Sequence, residues 1–310
     1  MARTRGELGV LHLAREANGL EPFRRFIDSY REHAAGTRHE LVLVLKGFHD
    51  DATEPYRAIA ADVCSRWVNV TDDGYDLGSY VDAAKRVEFD RLCFLNSFST
   101  INSSGWLALL ASALDDHRTG LAGASGSWGS YSSIVRFDLR LGGAYGAVYT
   151  NRAATRAAFK TLTAADPEPA ASMFERALRA GRNLVGFPEF PAPHLRTNTF
   201  AIRRDLLLRL RLPRPRTKLD AHLIESGRRS LTRQVARMGA AVVVVGRDGS
   251  VYKPRDWARS GTFWQRDQEN LLVSDRQTRT YEHGSDEVRL ALSRFAWGAQ
   301  ADPVLRGSDA

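Results

Sequence analysis

The chain has 310 residues, 43% of them hydrophobic and 26% charged. That is enough for one large α/β domain or two modest ones, and it excludes a collagen-like, coiled-coil or wholly disordered chain. Its 44 basic and 36 acidic residues leave a formal charge of +8, which suits polyanions, anionic lipid surfaces or phosphorylated small molecules without choosing among them.

The apolar stretch 9–14 is broken by His12 and stopped by Arg15. It therefore lacks the continuous core of a signal peptide, and residues 9–13 read as a first strand. Phe23, Phe26, Ile27 and Tyr30 recur at helical spacing within 21–33, and 41–45 is a buried strand. A helix over 55–65, a strand over 68–70, a helix over 76–87 and a strand over 91–95 follow. Then come a helix over 106–114, a strand over 120–124 and a glycine/serine loop over 125–133. This alternation is the rhythm of βαβ units and a mostly parallel sheet. Helices are expected over 152–159 and 170–180 around the break Asp166-Pro167-Glu168-Pro169, then a proline-rich turn over 187–193. A strand over 197–202 leads into a helix over 204–210 that Pro213 and Pro215 end. A helix over 226–238, a strand over 240–245 and a last helix over 287–296 complete the reading. No run approaches membrane-spanning length. Cys64 and Cys93 form no CxxC or Cys/His spacing, so no zinc or disulfide framework is indicated and a reducing, cytoplasmic setting is expected.

Polar residues gather where the parallel strands should end: Arg15 and Asn18, Asp50 and Asp51, Asp72, Asp73 and Asp76, then Asn96 and Ser97. Open parallel sheets bind ligands outside those carboxyl ends, so the four loops imply one cleft, although Asp and Asn also serve as ordinary caps and turns. No GxGxxG, Walker A, GxSxG or HExxH pattern occurs, which disfavours dinucleotide oxidoreductases, P-loop enzymes and the common hydrolases. Gly126-Ser127-Trp128-Gly129-Ser130 has no histidine and carboxylate at a spacing that would activate a serine, and reads as a turn.

The segments Asp73-Gly74-Tyr75-Asp76-Leu77-Gly78-Ser79-Tyr80 and Asp90-Arg91-Leu92-Cys93-Phe94-Leu95-Asn96-Ser97 resemble the nucleotide-sugar half of GT-A fold glycosyltransferases, of the family 2 and rhamnan-synthesis types. Arg196 to Arg204 resembles the strand before the acceptor helix, and 218–239 the segment that carries the base of inverting members. The resemblance runs over about 8–250. It implies an α/β, GT-A-like (Rossmann-like), mostly parallel sheet flanked by helices in 1–250, with a mixed or helical extension over 251–310 packing on that core.

For chemistry, the resemblance implies transfer of a hexosyl or deoxyhexosyl group from a nucleotide-diphosphate sugar to a glycan, lipid-linked or protein acceptor, with inversion. Glu225 would be the base and Asp220 the next carboxylate in line. Arg15, Asn18, Asp50, Asp73, Asp76, Asn96 and Ser97 would face the donor, with Arg86, Arg203 and Arg228 placed to neutralise its diphosphate. Where the family carries Asp-x-Asp for Mg²⁺ or Mn²⁺, this chain has Asn96-Ser97-Phe98-Ser99. Neutral oxygens of Asn96 and Ser99 would hold a hard divalent ion only weakly, whereas arginine can take its place against phosphate. Trp257 and Trp264 would form either an acceptor lid or core packing. The missing carboxylate also fits an inactive nucleotide-sugar-fold protein that binds or scaffolds. Nucleic acid is not expected as a partner, because the basic residues are spread along the chain without interleaved aromatics. The basic surface suits peripheral contact with the inner membrane.

Overall fold

Leu8–Arg15 (β1) and Glu40–Lys46 (β2) carry apolar side chains on both faces. Such strands need cover on both sides, which βαβ crossovers supply. The computed structural model describes residues 8–64, 66–139, 157, 160 and 172–305, and in it these strands lie within an eight-stranded sheet. β1 pairs in parallel with β2 on one side and with Arg91–Leu95 (β4) on the other, and β2 pairs in parallel with Arg66–Val70 (β3). Beyond β4 the sheet runs through Thr199–Arg203 (β9), antiparallel to both its neighbours, to Thr119–Gly123 (β6). It ends with Ala241–Val245 (β10), parallel to β6, and Val251–Tyr252 (β11), antiparallel to β10. Two short ladders lie outside it: Thr100–Ile101 (β5) with Val273–Ser274 (β12), and Gly126–Ser127 (β7) with His194–Leu195 (β8). The α/β, mostly parallel architecture is therefore as expected.

Alternate residues of each strand enter separate cores. On one face Leu11, Leu13, Val42 and Val44 meet Leu77, Tyr80, Ala83 and Ala84 of Tyr75–Arg86 (α3). On the other, Val10, Leu43 and Leu45 meet Phe23, Phe26 and Ile27 of Leu20–Glu32 (α1), beside Trp106 and Leu107 of Trp106–Ala113 (α4). The helix after β2 is shorter than expected, Glu54–Ala60 (α2). The loop expected over 125–133 holds β7 and the start of Tyr131–Asp138 (α5). Of the helix expected over 152–159 only residue 157 is described, and the break at 166–169 lies outside the described residues, while the helix expected over 170–180 is found as Met173–Gly186 (α6). Arg204–Arg209 (α7) follows β9.

The helix expected over 226–238 is found shortened as Leu231–Arg237 (α9), and a separate helix that was not expected, Lys218–Ser226 (α8), precedes it across a break at 227–230. The break has a local cause: the Gly227 backbone lies so close to the preceding turn that a Cβ there would meet the Leu223 carbonyl oxygen at 2.4 Å. Ser230 then caps the second helix through the Arg233 N–H. Arg276–Glu282 (α10), opened by the Asp275/Thr278 capping box, and Asp286–Trp297 (α11) complete the chain.

Trp257 and Trp264 are 0% and 2% exposed, in the same core as α3. Their indoles donate to the Tyr252 and Gln277 carbonyls at 2.9 and 3.2 Å. Buried rings cannot stack on a sugar, so the acceptor-lid alternative is corrected to core packing.

His12, central in β1, is fully buried and stacked on Phe26 at 3.5 Å, and among the described residues neither ring nitrogen has a hydrogen-bond partner. Burial lowers its pKa to about 3. An unfolded histidine titrates near 6.5, so between about pH 6.5 and 3 the unfolded chain binds a proton that the native one does not, and stability is lost as pH falls through that window. His12→Leu should remove about 1.4 kcal/mol per pH unit of that slope. Urea unfolding between pH 7 and 4.5 will measure it, and an unaltered slope would contradict the assignment.

Candidate functional site

Because β1, β2, β3 and β4 point one way, their carboxyl ends meet at one edge, and β9 brings the loop before it to the same edge. A cleft of ≈ 2030 Å³ opens there. Arg15, Asn18, Lys46, Asp73, Asp76, Asn96 and Ser97 line its sheet side, and Thr197, Arg214, Glu225 and Arg276 line the facing walls. Seven of the expected residues, Arg15, Asn18, Asp73, Asp76, Asn96, Ser97 and Glu225, thus share one space. The side chain of Asp50 lies outside the described part.

The charges within it are interlocked. Arg15 grips Asp72 in a bidentate pair, Nε to Oδ1 at 2.7 Å and Nη2 to Oδ2 at 3.0 Å. Lys46, the last residue of β2, is 3% exposed, and its ammonium lies 4.0 Å from the same carboxylate. Burial pulls its pKa down, and Asp76 and Asp72 oppose this. Asp76 stands in the first turn of α3, where the positive end of the helix favours an anion. Desolvation nevertheless raises its pKa, against the pull of Lys46 and Arg15, and the Glu225 charge adds to the rise. Arg276 opposes the rise from the opposite wall. Asp76 and Glu225 thus sit within electrostatic reach of one another in a cleft that Arg15, Lys46 and Arg276 also line.

The turn before α3 needs Gly74, whose φ is +78° and whose missing Cβ leaves room for Arg214. That arginine donates to Asp73 at 2.6 Å and to Asp82 at 2.8 Å. Its hydrogen bond, then that of Thr71, holds the Asp73 pKa down at about 2.

After β4, Asn96 Oδ1 accepts from the Phe98 N–H at 3.1 Å and from the buried Ser99 hydroxyl at 3.0 Å. Both lone pairs are committed to a turn, so Asn96 and Ser99 do not fit as metal ligands. Among the described residues no group of three or more His, Cys, Asp or Glu is placed to hold a metal ion.

Glu225 lies in the last turn of α8, and its Oε1 accepts from the Thr197 N–H at 2.9 Å. Asp220 is spent elsewhere: it caps α8 through Thr217, accepts from the Arg182 guanidinium at 2.7 Å, and does not line the cleft. Arg86, Arg203 and Arg228 are also corrected, since none lines the cleft. Arg86 donates to the Asn69 carbonyl and Arg228 to that of Val185. Arg203 ends β9, whose antiparallel course carries it to the opposite sheet edge, on the carbonyls of Asp116, His117 and Thr119.

The sequence matches no protein-family profile and no curated protein. It is similar in structure to a mannosyltransferase from Pyrobaculum calidifontis solved with GDP-Man and Mn2+, at 16% identity over 77% of this chain, with a TM-score of 0.44. It is similar also to glucosyl-3-phosphoglycerate synthase from Mycobacterium tuberculosis, solved with Mn2+, UDP and phosphoglyceric acid, at 16% identity over 78% of this chain and 68% of that one, TM-score 0.41. S. aureus TarS matches 37% of this chain at 18% identity, TM-score 0.31. The chain spans 54% of the length of the mannosyltransferase and 21% of that of TarS.

Sequence reasoning missed Lys46, Arg196, Asp275 and Arg276. Arg196 is 6% exposed, donates to Asp275 at 2.7 Å and to Gln277 at 3.0 Å, and lies 4.0 Å over the Phe263 ring. Asp275 in turn caps α10, whose Arg276 lies 5.1 Å over the Phe98 ring and whose Arg279 donates to the Phe98 carbonyl at 3.1 Å. One buried ion pair therefore fixes the wall opposite the sheet. Removing one partner strands a buried charge, so Asp275→Ala should cost about 3–5 kcal/mol. Urea unfolding will check this; a loss below about 1 kcal/mol would mean that water reaches Arg196.

Proposed function

We propose that the chain is a GT-A-type glycosyltransferase that moves a hexosyl or deoxyhexosyl group from a nucleotide-diphosphate sugar to a glycan, lipid-linked or protein acceptor. One observation carries the reading: at the carboxyl edge of a sheet ordered β3-β2-β1-β4, two carboxylates, Asp76 and Glu225, share a cleft with the cations Arg15, Lys46 and Arg276. Ligands of open α/β sheets bind at this edge.

In this reading the nucleotide lies against Asp73 and Asp76, and the diphosphate against Lys46, Arg15 and Arg276. As the bond from the anomeric carbon to phosphate oxygen breaks, the electron pair leaves with the diphosphate, whose growing charge those cations stabilise. The acceptor oxygen bonds to the anomeric carbon from the opposite face, and Glu225 Oε2 takes its proton while Oε1 stays bound to the Thr197 N–H. That hydrogen bond fixes the carboxylate, which is what a general base requires. Asn96 and Ser99 do not fit a divalent ion, so no step is assigned to one.

Three outcomes test this. Glu225→Gln keeps volume and the Thr197 contact, and should lower turnover by about 10²–10⁴-fold with donor affinity little changed. EDTA should reduce donor binding or turnover by less than about tenfold, a shift of about 1.4 kcal/mol. Activity abolished by EDTA and restored by Mn²⁺ would contradict the cation assignment. Lys46→Met should weaken binding of UDP, GDP, dTDP or CDP sugars, read as a smaller ligand-induced rise in Tm.

The committed turn oxygens of Asn96 favour a second reading, a protein of the same fold that binds nucleotide sugars without turnover. Nucleotide binding with neither transfer nor donor hydrolysis would select it.

A further inference from the structure

On α6 the residues Leu178, Gly181 and Val185 recur at i, i+3 and i+7 and so share one face. Leu178 is 57% exposed and Val185 76%. With Leu223 of α8 they border an apolar groove of ≈ 550 Å³. Groups of exposed apolar side chains on a soluble fold mark an interaction surface.

The groove ends against a cluster of arginines. The Arg228 N–H donates to the Gly186 carbonyl and its Nε to that of Val185, both at 2.9 Å, while Arg237 donates to the Arg228 carbonyl at 3.0 Å. The turn and α9 thereby set Arg228 against the exposed Val185, with Arg229 next in the chain, Arg237 bonded to the Arg228 carbonyl, and Arg233 within electrostatic reach of both Arg228 and Arg237. Among the described residues none of the four forms an ion pair with a carboxylate. Arg233 is half-buried, and burial followed by the like charges of Arg237 and Arg228 lowers its pKa, as expected where guanidinium groups crowd without an anion.

We infer that this face docks on an anionic lipid bilayer, with Leu178 and Val185 entering the headgroup–acyl boundary and Arg228, Arg229, Arg233 and Arg237 taking lipid phosphates. Charge complementarity selects the occupant. A nucleic acid or anionic glycan would use the arginines and gain nothing from the apolar stripe, whereas an anionic membrane surface offers both kinds of contact side by side. Among the described residues no helix is long and apolar enough to cross a membrane. Leu178 and Arg182 border the large cleft as well as the groove, so the docked membrane lies at the cleft's mouth. The docking stands on these residues alone; only the further consequence, that the acceptor is anchored in the same membrane, rests on the transferase reading.

Co-sedimentation of the full chain with vesicles tests it without any turnover. The protein should pellet with phosphatidylglycerol/phosphatidylcholine vesicles and not with phosphatidylcholine alone. Leu178→Ser/Val185→Ser should lower the partition at least about tenfold at unchanged net charge, and Arg229→Gln/Arg237→Gln should lower it about fivefold per charge removed. Thermal unfolding of each variant confirms the fold, and if one is unfolded the other decides. Binding to neither vesicle overturns the inference. So does wild-type partition in the serine variant, which would reduce the effect to net charge, or heparin binding without vesicle binding, which would assign the patch to a soluble polyanion. Failure of sugar transfer leaves the result intact, and failure of vesicle binding leaves the transferase reading intact.

Discussion

β1 and β2 have no face turned to water. Burial on both sides forces helical crossovers, crossovers force the strands parallel, and parallel strands bring their carboxyl ends to one edge. The polar residues on the sheet side of the cleft follow from that constraint. Arg15, Lys46 and Asn96 each terminate or directly follow a strand, Asp72 and Asp73 lie in the turn between β3 and α3, and Asp76 in the first turn of that helix. The interior of the sheet can therefore be wholly apolar while its rim carries alternating charge.

The rim keeps one charge, the Lys46 ammonium at 3% exposure, out of bulk water beside partners that are themselves part-exposed. A single ammonium as buried as Lys46 would favour its neutral form, and a single carboxylate as enclosed as Asp76 would favour the acid. Each is the other's remedy, with Arg15 and Asp72 completing the set. The far wall follows the same logic through Arg196 and Asp275. Two mutually supporting ion networks thus face each other, and the turn at Asn96 between them is neutral, closed by its own hydrogen bonds.

Local signals made the sheet half legible. Strand β4 was bounded by the apolar run 91–95, α3 by a glycine turn followed by helical spacing, and Asp73 and Asp76 by their place after a strand. The family resemblance marks Glu225 but not its helix, which is set by the Thr217/Asp220 capping box and the stop at Gly227, local signals that apolar spacing does not carry. Lys46 reads in sequence as nothing more than the end of an apolar strand; its burial comes from neighbours far along the chain. Arg196 and Asp275 are 79 residues apart, and no periodicity connects them. Trp257 and Trp264 sit among polar residues whose own side chains are buried and bonded, as Gln265 is to the Trp257 carbonyl, so composition left an acceptor lid and core packing both open where there is core. Arginines at 86, 203 and 228 satisfy carbonyl groups, a use of the guanidinium that sequence does not distinguish from phosphate binding.

The Arg214 guanidinium joins the loop leading into α8 to Asp73 and Asp82 on the other wall, and all of its hydrogen bonds to them are exposed. Exposed ion pairs weaken as the Debye length shrinks. The strap's hold on the loop before α8 is therefore a property of the medium as well as of the fold, firmest in dilute buffer and slackening as ionic strength rises.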